Sequence, residues 1–203
     1  MRKSLKDFPV ISIVLVVINI IVFLACIFTG GWLYYQGGLS RVAVVYYKEY
    51  GRLLWSMFLH DDTAHLFNNM VILLFLGSML EKEVGHIWFA VVYFLSGIGG
   101  GLVSLVEKIS TGSDVFSIGA SGAIFGLDGL LLALVLCSSN FRNMMPPIRV
   151  VLVIGLSLYD GFSRTNVDNA AHVGGLVVGF ALGIIWCMVK GISNKRRKRE
   201  VQT

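Results

Sequence analysis

A chain of 203 residues that is 56% hydrophobic, only 14% charged and has a mean hydropathy of +0.76 excludes an ordinary soluble domain, in which roughly a quarter of the residues are charged. Its net charge of +5 comes from the ends, where Arg2, Lys3, Lys6, Lys190 and the run 195–199 hold nine of the 17 Lys and Arg. Basic tails on an apolar interior read as anchors at a cytoplasmic membrane face with anionic lipids, so membrane lipids are expected partners and nucleic acid is not.

The first apolar run, residues 9–29, follows a basic start as a signal peptide would. It is long enough to span, and no convincing cleavage site follows, so it reads as a retained helix. The next connection, residues 30–63, is too long for a turn. It holds five of the seven tyrosines (Tyr34, Tyr35, Tyr46, Tyr47, Tyr50) with Trp32 and Trp55. Such aromatics settle at headgroup level, which predicts a structured interfacial lobe.

Five further apolar runs follow at about 66–80, 87–106, 121–137, 145–162 and 171–189. The second and fourth spans are short unless their polar starts, TAHLFNN and SIGAS, also lie at membrane depth. Polar groups are tolerated there when they line a wet cavity enclosed by protein. Six spans put both tails on one side. Placing them in the cytoplasm assigns twelve of the 17 basic residues inside and five outside, as the positive-inside rule requires. Cys26, Cys137 and Cys187 sit in apolar runs and read as small buried hydrophobes, not as a disulfide framework or metal site.

In this orientation the second, fourth and sixth helices are parallel, and their polar starts share one depth near the outer face. His60, His65 and Asn69 mark the start of helix two, Ser121 that of helix four and His172 that of helix six. Each has a plain structural explanation when taken alone. Gly122 and Gly126 suit close helix packing, as do Gly175, Gly179 and Gly183. Packing helix six on helix four through those stripes would, however, bring Ser121 and His172 together. His65 and Asn69, four residues apart, share a helix face and offer the donors an oxyanion hole needs.

HDDTAHLFNNM, GASGAIFG and NAAHVGGLVVG together resemble the rhomboid family of intramembrane serine proteases. The resemblance covers nearly the whole chain. It implies an all-α, six-transmembrane-helix bundle forming a single domain over 1–203, with a core at about 9–189 and cytoplasmic tails at 1–7 and 190–203. It implies Ser121 as nucleophile and His172 as general base, with no cofactor and no metal. His65, Asn69 and the Ser121 backbone N–H would bind the oxyanion, and the Gly119 backbone N–H is a further candidate. His60, Arg52 and Phe125 would support the site. Arg52 matches the arginine of the family's first-loop motif, although Gly51 stands where tryptophan is common. Phe125 stands where some relatives stack a tyrosine on the histidine. The implied partners are transmembrane protein substrates, approaching beside helix five with its Pro146-Pro147 start. The implied location is the plasma membrane, with both termini cytoplasmic; the oligomeric state is open.

A dyad suffices for this chemistry, because a serine hydroxyl needs only a neighbouring base to become nucleophilic. Asp128 lies seven residues past Ser121, roughly 10 Å along a helix, and is read as a buried polar contact or a helix-packing residue. Asp168 lies one turn from His172 and is not required. The cluster His60, Asp61, Asp62 and His65 lacks an HExxH pattern, and its adjacent aspartates read as solvated. His86 reads as interfacial. A non-catalytic escort protein of the same family would have no need of both Ser121 and His172. A small transporter would carry polar residues on both sides of the midplane, whereas here they cluster at one end.

Overall fold

The computed structural model describes residues 8–162 and 167–200. The basic segment 1–7, Arg164 and the side chains of 195–199 lie outside the described residues. The helices are α1 (Val10–Phe28), α2 (Trp32–Gly37), α3 (Arg41–Val45), α4 (Arg52–Trp55), α5 (Thr63–Val84), α6 (His86–Thr111), α7 (Ser121–Cys137), α8 (Ser139–Met144), α9 (Pro147–Phe162) and α10 (Asn169–Glu200). A 3-10 turn, Ser56–Phe58, follows α4. Among the described residues the one strand-like feature is an antiparallel bridge between Leu39 and Ser117.

The six apolar runs are α1, α5, α6, α7, α9 and α10. Four of them, α1, α5, α6 and Asn169–Gly191 of α10, are long and apolar enough to cross a membrane. The fold is an all-α polytopic membrane bundle. α1 shows why a bilayer and not water is its solvent. Ser12 and Asn19 are buried while Val14, Val17, Ile21 and Leu24 are exposed, the reverse of a soluble amphipathic helix.

Helix limits follow local chemistry. α5 begins earlier than its apolar run because Asp62 caps it, its side chain accepting the His65 backbone N–H at 2.8 Å. It continues through Leu80 and Glu81 to Val84. Gly85 alone then turns the chain into α6, with a left-handed φ of +84° that few other residues would accept.

α7 has the 17 residues expected of it and is apolar on nearly every face, so it occupies the centre of the bundle. α10 packs against it backbone to backbone. A Cβ at Gly175 would stand 1.9 Å from the Gly122 carbonyl oxygen, and one at Gly179 would stand 1.9 Å from that of Gly126. α6 supplies the other wall, where a Cβ at Gly100 would meet the Ala171 carbonyl oxygen at 2.5 Å.

The lobe between α1 and α5 is structured, with Trp32, Tyr35, Tyr46, Tyr47, Tyr50 and Trp55 exposed on it. Buried Arg52 fastens it from within. Its Nη1 donates to the Tyr35 and Gly38 carbonyls at 2.7 and 2.9 Å, and its Nε pairs with Glu49 at 2.6 Å. The guanidinium makes these contacts with Gly51 beside it. Asp114 ties the lobe to the loop before α7, accepting from Ser40 Oγ at 2.8 Å and the Val42 N–H at 3.0 Å.

Three side chains depart from expectation. Cys26 is buried, but Cys137 is exposed at the end of α7 and Cys187 is half-buried. His86 is more than interfacial, since its Nδ1 lies 2.5 Å from the fully buried Glu81 carboxylate. Asp128, within α7, has no hydrogen-bonding partner among the described residues, which leaves the helix-packing reading of the two.

Candidate active site

Ser121 opens α7, His172 lies in the first turn of α10 and His65 in the first turn of α5. The three helix starts meet at one end of the bundle. His172 Nε2 lies 2.8 Å from Ser121 Oγ, within reach for proton transfer. The imidazole is buried and stacks on Phe125, with ring centroids 4.3 Å apart and planes inclined by 17°. Phe125 thus provides the stacking surface and, lacking a hydroxyl, nothing else. His172 Nδ1 has no hydrogen-bonding partner among the described residues, so no carboxylate holds the ring as in a triad.

Asp168 acts on the helix instead of the ring. One carboxylate oxygen accepts the Ala171 N–H at 2.9 Å, capping α10 a turn before His172. The other accepts from the Ser104 and Ser117 hydroxyls, joining α10 to α6 and to the loop ahead of Ser121.

His65 and Asn69 both come up to Gly119 in the loop ahead of Ser121. The first intrahelical bond of α7 runs from the Ile124 N–H to the Ala120 carbonyl, which leaves the Ser121 N–H without an acceptor inside the helix. Asn69 is buried, with Nδ2 3.0 Å from His60 Nε2. Burial, and then the neighbouring His65, lower the His60 pKa from 6.5 to about 4, so His60 is neutral. Its Nε2 accepts one Asn69 N–H, and the second amide hydrogen is left for the site. Tyr34 steadies His60 by donating to its carbonyl. Burial first, then Cys26, raise the Tyr34 pKa to about 12, so the hydroxyl remains a donor.

Gly119 takes a different role from the one expected. Its N–H donates to the Ser56 carbonyl at 2.9 Å and is not free for an oxyanion. Its missing side chain is what the site uses. With φ at +119°, a Cβ there would stand 2.8 Å from His65 Nε2 and 3.7 Å from Asn69 Nδ2. Glycine lets both side chains approach the loop ahead of Ser121. Beside Ser121 lies a cavity of about 30 Å³ bordered by Ser56, Gly97, Ser117, Gly119 and Asp168, with room and polar partners for water.

An all-α membrane bundle carrying a serine–histidine pair at its helix starts defines a class of protein, and sequence comparison places the chain within it. A family model described as "Rhomboid domain" matches residues 47–189, and the chain belongs to the rhomboid family. It is 37% identical over 152 residues to RHOMBOID-like protein 4 of Arabidopsis thaliana, covering 74% of this chain and 37% of that protein. Rhomboid protease GluP of Bacillus subtilis is 34% identical over 151 residues, covering 72% of this chain and 29% of that one. Inactive RHOMBOID-like protein 8 of Arabidopsis thaliana is 34% identical over 145 residues, covering 70% and 40%. The chain spans less than half the length of these relatives.

Proposed function

We propose that the chain is an intramembrane serine endopeptidase that hydrolyses peptide bonds in or beside the membrane segments of other proteins. Because one relative is named inactive, family membership does not carry this reading. The 2.8 Å contact between His172 Nε2 and Ser121 Oγ does.

In this reading His172 takes the Ser121 proton as Oγ attacks the substrate carbonyl. The carbonyl oxygen becomes an oxyanion met by the Ser121 N–H, Asn69 Nδ2 and the His65 ring. His172 then gives its proton to the leaving amine, and the C–N bond breaks to leave an acyl-serine. Water beside Ser121 loses a proton to His172 and attacks the ester, which releases the new carboxylate and restores the hydroxyl. A substrate would approach past α9, whose Val151, Leu152 and Leu156 are exposed. The working orientation has both termini cytoplasmic and the helix starts of α5, α7 and α10 toward the outer face.

Fluorophosphonate labelling of the purified chain, with cleavage of a single-span substrate in proteoliposomes, tests the proposal. Wild-type protein should label and cleave. Ser121→Ala should do neither and His172→Ala should not cleave, with thermal stability near wild type in both. Near-normal turnover by Ser121→Ala would overturn the assignment.

A further inference from the structure

Asp61 follows His60 in the short link before α5. Its Oδ1 lies 2.6 Å from His65 Nδ1. The adjacent Asp62 acts elsewhere, accepting the His65 backbone N–H at 2.8 Å. One aspartate therefore caps the helix and the other grips the ring. The far side of the ring, Nε2, faces Gly119 in the loop ahead of Ser121. The imidazole thus runs from a carboxylate at the link to the loop ahead of Ser121.

A carboxylate only accepts, so His65 Nδ1 carries the hydrogen in this contact. Neutral imidazole has a single N–H. With that hydrogen turned to Asp61, a neutral ring would offer an oxyanion the lone pair on Nε2, which repels it. Nε2 can donate only when both nitrogens are protonated, and the carboxylate at 2.6 Å is the partner that stabilises such a cation.

We propose that Asp61 is a positioning residue for the reaction: by holding His65 Nδ1–H, it fixes the ring in the orientation that turns Nε2 toward the loop ahead of Ser121, where the oxyanion develops. This rests on the reading of Ser121 as nucleophile. The surrounding charges agree with it. Asp61 and Asp62 come from the link, and neutral His60 lies edge-on with ring centroids 4.9 Å away. Tyr34 reaches in from α2, and α10 contributes His172 at the Ser121 hydroxyl. The aspartates are the negative groups of this set, and His172 is uncharged when it acts as base. Burial opposes ionisation of Asp61, but the hydrogen bond and charge of His65 prevail and hold its carboxyl below the usual range. The Asp61 side chain is 60% exposed, and so open a pair contributes little to stability. Its effect belongs in the rate.

Steady-state cleavage of a single-span substrate by the full chain in proteoliposomes at neutral pH tests this. Asp61→Asn should lower kcat about ten-fold with KM unchanged, the difference between a charge-assisted and a neutral hydrogen bond. Asp61→Glu should recover part of the loss. In a His65→Ala background Asp61→Asn should change nothing further. The proposal is overturned by wild-type kcat in Asp61→Asn, by a loss that appears only in KM, or by one that persists without His65. Failure of the wild-type chain to cleave or to label with fluorophosphonate is a separate result, and it would remove the protease reading itself.

Discussion

Gly179 of α10 and Gly126 of α7 leave no space between their backbones, for a Cβ on Gly179 would stand 1.9 Å from the Gly126 carbonyl oxygen. Backbone cannot yield as a flexible side chain can. Gly179→Ala should therefore push α10 off α7 and destabilise the bundle by about 1–3 kcal/mol, the usual cost of overpacking. Because His172 is carried by α10 and Ser121 by α7, turnover should fall as well, although the substitution lies two turns from the chemistry. Thermal unfolding and cleavage rates, measured together, check both outcomes.

Asn69 is read as an oxyanion donor, and loss of one such donor costs about 2.7–4 kcal/mol, a 10²–10³-fold fall in rate. Asn69→Ala should show that fall in kcat while keeping measurable activity. A change confined to KM would assign Asn69 to substrate binding instead.

His60 is buried and neutral, its pKa lowered from 6.5 to about 4. Between those values the unfolded chain binds a proton that the folded chain refuses, so acid favours unfolding. Stability should be constant in His60 above pH 6.5, fall as pH drops toward 4, and level off below that, by on the order of 3 kcal/mol. Asp61 and Asp114 also have lowered values, but theirs start from 3.8, so their loss falls below this window. His60→Gln can still accept from Asn69 and cannot titrate. Its melting temperature should vary less than wild type's between pH 6.5 and 4.

The depth of the cut follows from the shared position of Ser121, His172 and His65 at one end of the bundle. An intact substrate helix shields its carbonyls, and unwinding in hydrocarbon leaves backbone groups unsatisfied at several kcal/mol each. Cleavage should therefore fall near the membrane boundary on the side of the α5, α7 and α10 starts, after a small residue such as Ala. Gly or polar residues just downstream should speed it. Mass spectrometry of the products of a single-span substrate locates the cut; a cut at the opposite boundary would overturn the site or the orientation.

Much of this arrangement is legible in the sequence because a bilayer makes polar residues conspicuous. Ser121, His172, His65 and Asn69 interrupt apolar runs at helix starts, and the glycine spacing of α7 and α10 indicates which helices meet. What remained hidden depends on where a loop sends its side chains. Asp61 and Asp62 are adjacent and look alike, yet one grips a ring and the other caps a helix. The Gly119 N–H looked available until the loop geometry gave it to Ser56. Asp168 could be seen as close to His172, but its partners Ser104 and Ser117 lie far off in sequence. Cys137 ends an apolar run, and periodicity does not register that the last residue of a helix faces out.

At the end of the bundle away from Ser121, Glu81 accepts the N–H groups of Ile11 and Ser12 and the Ser12 hydroxyl at 2.6–3.0 Å. These are first-turn donors that α1 cannot satisfy within itself. Most helices receive such a cap from the residue just before them, but Pro9 occupies that position and offers no side-chain hydrogen bond. The cap of α1 is instead supplied by α5, synthesised some 70 residues later. During biogenesis α1 is therefore made before the group that caps it, and the docking of α5 supplies that cap.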